Sequence, residues 1–215
     1  MNSNEKRLDW VNDYIKQAQF SPKLLNYYKG KSILVTGGAG GIGSNLIIAL
    51  SILVGEQGKI TVLDNLSSIK IKNPWNVLPL KNVQFVLGDV RSDIDLKRVF
   101  KNQPTIVFHL AAFFANQNSI DYPELSAEVD VIGQIKLLEY SRLAKIDRFI
   151  YASSGCAIYG SYGKMPLKED FISMHLTTPY QINKMTGEMV QATNPYGDGK
   201  SGPQIVEIIK NCFKG

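Results

Sequence analysis

The sequence predicts an α/β fold, a doubly wound parallel sheet covered by helices on both faces, and three observations carry that prediction. A short apolar run, Ser32 to Val35, ends in the turn Thr36-Gly37-Gly38-Ala39-Gly40-Gly41-Ile42-Gly43, which opens directly into an apolar helix from Ile42 to Val54. Further short apolar runs recur at Lys59–Leu63, Val83–Leu87, Thr105–Leu110 and Arg148–Tyr151. Between them lie segments of helical periodicity around Asp93–Lys101 and Ala127–Leu143, with another from Pro179 to about Ala192. Strands that alternate with helices are buried on both faces, which is why these strands read as near-continuous apolar runs.

The flanking regions are of a different kind. Leu8, Val11, Ile15 and Ala18 recur at helical spacing, and Ser21-Pro22 reads as the cap and first turn of a second short helix ending near Tyr28. Residues 1–30 are thus expected to form a helical appendage ahead of a main domain at 31–192. Beyond it, Asn194-Pro195-Tyr196-Gly197-Asp198-Gly199 is a turn cluster, and Ile205–Phe213 looks like one more amphipathic helix.

Composition excludes several classes. With 215 residues, 44% of them hydrophobic, the chain can fill one core. The net charge of +5 comes from lysines scattered among acids, without the basic stripe interleaved with aromatics that nucleic acid needs. The two cysteines, Cys156 and Cys212, lack C-x-x-C spacing, and His109 and His175 lack ligand partners, so neither disulfides nor a metal site are expected. Met1–Asp9 is polar rather than a leader, and Leu46–Val54 is too short for a bilayer. A cytoplasmic protein, with no membrane partner, is the expectation.

The glycine turn calls for a dinucleotide. Gly37 would make the sharp turn out of the strand, Gly40 would let backbone approach a pyrophosphate, and Gly43 would let the helix lie close on the sheet; the helix N-terminus then faces the phosphates. About 20 residues further on, Asp64 ends the next strand, where a carboxylate accepts hydrogen bonds from ribose hydroxyls and repels a 2′-phosphate. This Rossmann-type reading predicts NAD rather than NADP. Lys70 and Lys72 lie past the strand end and do not change it. Tyr180 and Lys184 are four apart, so they share a helix face, and an ammonium beside a phenol favours phenolate. A phenol tuned towards neutral pH can exchange a proton with a substrate hydroxyl while hydride moves to or from a nicotinamide.

The ordered set of motifs resembles the extended short-chain dehydrogenase/reductase family, and within it the NAD-dependent sugar-nucleotide epimerases and dehydratases. Its members in this sequence are Thr36–Gly43, Asp64-Asn65-Leu66-Ser67, Gly88-Asp89-Val90-Arg91, His109-Leu110-Ala111-Ala112, Tyr151-Ala152-Ser153-Ser154 to Tyr159-Gly160, and Tyr180-x-x-x-Lys184. The resemblance implies that Gly41 and Ile42 offer backbone to the pyrophosphate. It implies that Asp64, Asn65 and Ser67 hold the adenosine ribose, that Asp89 and Val90 flank adenine, and that Leu110, Ala111 and Ala112 line the nicotinamide ribose, with Tyr180 and Lys184 touching the cofactor as well. The implied reaction oxidises a ring carbon of a nucleoside-diphosphate sugar, turns the keto sugar, and returns hydride to the opposite face.

Departures from the family pattern mark where that implication weakens. The family's catalytic Ser or Thr falls on Gly155, which has no hydroxyl, so the adjacent Ser154 is the candidate donor, with a structural serine as the alternative. Asp130 stands where relatives carry Asn. Cys156 and Ala157 replace the acids that dehydratases place after the catalytic Thr, which disfavours dehydration. After Glu188 the chain passes to the Asn194 turn without the family's intervening strand, and residues 193–215 read as a remnant of the substrate-binding lobe. Asn194 is the one substrate-contacting candidate there. Two alternatives stay open: an NAD-binding relative without catalysis, and a dehydrogenase or reductase that releases its cofactor. The resemblance also implies a homodimer through the helices at 127–143 and 179–192, with Ile135, Leu138 and Tyr140 as either interface or core residues.

Overall fold

The structure, a computed structural model, describes residues 3–17, 20–68, 80–155 and 175–192. Two helices, α1 (Ser3–Gln17) and α2 (Pro22–Tyr28), precede the sheet. Ser21 caps α2, its hydroxyl accepting the Leu24 N–H, and Pro22 occupies the first helical position, where its missing N–H costs nothing. The Asn194 turn, the helix expected at Ile205–Phe213, Tyr159, Lys70, Lys72, Cys156 and Cys212 all lie outside the described residues.

Five strands follow among the described residues: β1 (Ser32–Thr36), β2 (Lys59–Asp64), β3 (Val83–Leu87), β4 (Ile106–His109) and β5 (Arg148–Tyr151). Every pairing is parallel, in the order β3-β2-β1-β4-β5. The chain therefore runs outward from β1 to β3 and then returns to the other side of β1, so the carboxyl ends of β1 and β4 flank the point where the winding reverses. Ligands of open α/β sheets bind at such a switch point.

The period of two along the strands sorts side chains between two cores. Ile33, Val35, Ile60, Val62, Ile106 and Phe108 face α3 (Gly41–Val54), which contributes Ile47, Leu50, Leu53 and Val54. Leu34, Leu63, Val107, Phe149 and Tyr151 face the other side, against α4 (Asp93–Phe100) and α7 (Gly133–Leu143). Burying each such side chain contributes about 1.5–3 kcal/mol, so both faces hold the strands in register.

The expected helical segment over 127–143 is present, with a π-helical turn inside it. Two short helices, α5 (Asn116–Asp121) and α6 (Pro123–Ala127), lead into a π-helical turn at Glu128–Ile132 before α7 begins. Gly133 marks the exit from that turn, and a Cβ there would lie 2.8 Å from Val90 Cγ2. The last described helix, α8 (Pro179–Ala192), has the expected bounds.

Candidate active site

The loops that leave the carboxyl ends of all five strands enclose one cleft of about 1020 Å³. Gly37, Gly40, Gly41, Ile42 and Gly43 line one end of it, Asp64, Asn65, Ser67, Asp89 and Val90 one side, and Leu110, Ala111 and Ala112 its floor. Ser154, Tyr180 and Lys184 line the other end. The structure thus brings together every residue singled out from the sequence, Asn194 excepted because it lies outside the described residues. Phe113, Phe114, Val129, Ala152 and Ser153 also line the cleft and were not singled out.

Sterics set the glycine end. Gly37 has φ +70°, its N–H donates to the Leu63 carbonyl at 2.9 Å, and a Cβ there would come within 2.7 Å of Ala111 Cα. The turn is thereby wedged between β2 and the loop after β4. Gly43 works differently from the sequence expectation: a Cβ at this position would meet Gly38 Cα at 2.6 Å, so it seats the first turn of α3 on the glycine turn itself. The glycine that lets the helix approach the sheet is Gly38, where a Cβ would meet Val62 Cγ1 at 2.6 Å and Ile47 Cδ1 at 2.8 Å.

Carboxylates order the adjacent side. Asp64 accepts the Ala39 N–H at 2.9 Å and the Leu66 N–H at 2.8 Å, tying the end of β2 to the glycine turn. Asn65 donates to Asp89 at 2.9 Å and accepts the Ser67 N–H at 3.0 Å. Arg91 grips Asp89 through Nε and Nη2, at 3.0 and 2.9 Å, and reaches Glu128 with Nη1 at 2.7 Å. Burial alone would push the Asp89 carboxyl up, but the hydrogen bonds from Arg91 and Asn65 outweigh it and bring it to about 2.

The Tyr-Lys end is drier. Tyr180 is buried in the first turn of α8, its N–H donating to Ser119 Oγ at 3.0 Å and its ring standing edge-on to Phe114 with centroids 6.0 Å apart. Lys184, only 3% exposed, lies 5.8 Å from the Tyr180 ring centre and 4.8 Å from that of Tyr151. Its ammonium donates to the Ala152 carbonyl at 3.0 Å. Burial lowers the Lys184 pKa, while the negative charges of Asp130 and Glu188 oppose that shift.

Two serines leave β5 at this end. Ser154 lines the cleft as expected, and Ser153 presents a buried hydroxyl without a hydrogen-bond partner beside it. The signal for Ser153 was strand alternation, since it falls two residues after the inward-facing Tyr151. Gly155 is exposed at the mouth.

Asp130 acquires a definite structural role. Only 2% exposed, it accepts the Phe113 N–H at 2.8 Å and the Ser126 hydroxyl at 3.2 Å, and Ser126 in turn accepts from Asn183 of α8 at 2.9 Å. One carboxylate therefore links the loop after β4, the π-turn and the Tyr-Lys helix. Burial raises its pKa, against the Phe113 hydrogen bond and the charge of Lys184. His109 has a structural setting: its Nδ1 lies 2.7 Å from Thr36 Oγ1, and burial, then the charge of Lys184, bring it down to about 3, so the ring is neutral. Leu138 is core, whereas Ile135 is exposed.

Parallel sheet, switch-point cleft and glycine turn on a helix start together define a Rossmann-type dinucleotide-binding domain, with a buried Tyr-Lys pair at the far end of its cleft. Comparison with known proteins carries this to the family: residues 33–197 match the NAD dependent epimerase/dehydratase family, and the chain belongs to it. The UDP-glucose 4-epimerase of Mycolicibacterium smegmatis is 34% identical over 157 residues, covering 73% of this chain and 49% of that protein. Among solved structures, an epimerase from Methanothermobacter thermautotrophicus matches with TM-score 0.73 and 47% identity, over 79% of this chain and 48% of that one. The UDP-glucose 4-epimerase of Thermotoga maritima, solved with UDP-glucose, matches with TM-score 0.67 and 36% identity, over 77% and 52%. The chain spans about half the length of these relatives.

Proposed function

We propose that the chain carries the cofactor-binding part, residues 31–192, of an NAD-dependent epimerase of nucleoside-diphosphate sugars, with 1–30 as a helical appendage and 193–215 as the start of the substrate lobe. The observation that carries this reading is that Tyr180 and Lys184 are buried side by side at one end of a cleft whose other end is the glycine turn. The residues present fit NAD. Gly37, Gly40, Gly41 and Gly43 line this end of the cleft, and α3 starts there at Gly41, with the N–H groups that a helix start leaves unpaired. Asp64 and Asp89 put negative charge on the side where a 2′-phosphate would lie.

Bound there, NAD supplies a hydride acceptor and, on the return, a donor. The chain supplies the proton chemistry. Tyr180, as phenolate, takes the proton of the reacting sugar hydroxyl and, as the phenol so formed, gives it back to the keto oxygen on the return. Lys184, held by the Ala152 carbonyl, keeps a positive charge next to that phenol. Ser154, or the unpartnered hydroxyl of Ser153, steadies the reacting oxygen in place of the missing side chain at Gly155. Phe113, Phe114 and Val129 give this end apolar lining.

Full-length protein supplied with NAD should interconvert UDP-glucose and UDP-galactose or another epimeric pair. Tyr180→Phe should lower kcat by about 10²–10⁴-fold with NAD affinity unchanged. Absence of turnover across a panel of UDP-sugars, with NAD bound, overturns the reading. Gly155 favours a second reading, an NAD-binding relative without catalysis, for which Tyr180→Phe changes nothing. Exposed Ile132, Ile135 and Ile182 on the π-turn, α7 and α8 support a homodimer through these helices. Among the described residues no helix is long and apolar enough to cross a membrane.

A further inference from the structure

The match to the family begins at residue 33, so α1 precedes it. This helix nevertheless lies along α3, with Leu8 and Val11 packed on Ile48 and Ala49. On the same face Arg7 Nη2 donates to Ser44 Oγ at 2.7 Å and to Asn45 Oδ1 at 3.0 Å. Both acceptors lead back to one peptide group. Asn45 Nδ2 donates to the Gly41 carbonyl at 2.8 Å, and Ser44 Oγ donates to the same carbonyl at 3.4 Å.

Gly41 is the first residue of α3 and lines the cleft with Gly40 and Ile42. Because a trans peptide is planar, the carbonyl of Gly41 and the N–H of Ile42 point in opposite directions, and whatever fixes the carbonyl aims the donor. That N–H is one of the donors a helix start leaves without an intrahelical partner. Glycines at 40 and 41 make this peptide soft, so an outside brace has something to stiffen. A guanidinium at the far end polarises the hydrogen-bonded chain through Asn45 to Gly41 and strengthens the donor at its tip. It also adds positive charge close to the positive end of a helix dipole, an arrangement that becomes favourable when an anion sits at that end.

We propose that Arg7 is a positioning residue for the cofactor's pyrophosphate, acting through Asn45 and Ser44 on the Gly41–Ile42 peptide, so that the N-terminal helix belongs to the cofactor site. The inference rests on the NAD reading given above. Its test is titration of NAD, ADP and adenosine into full-length wild-type protein and the variants Arg7→Gln, Arg7→Lys and Lys6→Gln. Arg7→Gln should weaken NAD and ADP by roughly three- to tenfold, more at low salt, with adenosine affinity held within about twofold. Arg7→Lys should recover part of the loss. Lys6→Gln, which removes the same charge from an exposed neighbour, should change nothing. Equal losses for ADP and adenosine, or equal losses in the Arg7 and Lys6 variants, overturn the inference. Wild-type protein that binds neither NAD nor ADP overturns the cofactor reading and this inference with it; wild-type binding matched by Arg7→Gln overturns this inference alone.

Discussion

Gly37→Ala tests whether the cleft is set by sterics at the glycine turn. An alanine at φ +70° carries a backbone cost of about 1–2 kcal/mol. Its Cβ would also lie 2.7 Å from Ala111 Cα and at the same distance from the Leu110 carbonyl carbon, both of them backbone atoms that no rotamer change can move. Overpacking of this sort adds about 1–3 kcal/mol. The turn cannot lift away freely, because the Gly37 N–H is bonded to Leu63 and its carbonyl accepts from Gly40. A total near 3 kcal/mol lowers Tm by about 6–12 °C for a chain of this size. Gly41→Ala is the internal control, since a Cβ there meets nothing within 4 Å and no positive φ is needed. Thermal unfolding of both variants without cofactor, followed by NAD titration, measures the effect. Gly37→Ala should melt early and lose NAD affinity, and Gly41→Ala should keep the wild-type Tm. Equal Tm values and equal NAD affinities for the two variants refute the steric argument.

Two further outcomes follow from buried and exposed side chains. Asp130 titrates above its ordinary value because burial disfavours its charge, so the folded chain holds that proton more tightly than the unfolded chain does. Stability therefore falls as pH rises from the unfolded value of about 3.9 through the raised folded one, and remains lower above it. Asp130→Asn should thus be more stable than wild type at neutral pH, with the advantage shrinking as pH falls towards about 4 in urea melts; an advantage that does not vary with pH contradicts this. Ile135→Lys with Ile182→Lys, both at exposed positions, should leave Tm nearly unchanged and convert a dimer to a monomer in light scattering; a dimer that survives both charges places the interface elsewhere.

What the sequence made legible is what short-range physics decides. The five strands were readable because both sheet faces are covered, as at Ile33, Leu34 and Val35, all fully buried. The Tyr-Lys pair was readable because four residues is one helical turn. By contrast α5 carries a single apolar residue, Ile120, in Asn-Gln-Asn-Ser-Ile-Asp and has no amphipathic period to detect. The π-turn hides inside Glu-Val-Asp-Val-Ile, which fits an α pattern. Its setting is long-range, with Asp130 bonded to Phe113 seventeen residues earlier and Gly133 crowded by Val90. The Lys184 bond to Ala152 spans 32 residues and that of Arg7 to Ser44 spans 37, separations at which no local pattern constrains a side chain.

The two ends of the cleft also differ in how far a single charge reaches. On the side of the cleft lined by Asp64 and Asp89, Arg91 and Glu128 are one-third and one-half exposed, and water screens a pair of that kind to about 1 kcal/mol or less. At the Tyr-Lys end, Lys184, Asp130 and His109 are all 3% exposed or less, with Tyr151 stacked between the imidazole and the ammonium. Charges inside a low dielectric act on one another over several ångströms, which is why Lys184 depresses His109 and why Asp130 and Lys184 each favour the other's charged form. A change of one charge at this end therefore shifts the proton affinity of its buried neighbours among Lys184, Asp130 and His109. Asp130, buried and coupled to the charge of Lys184, is one such group.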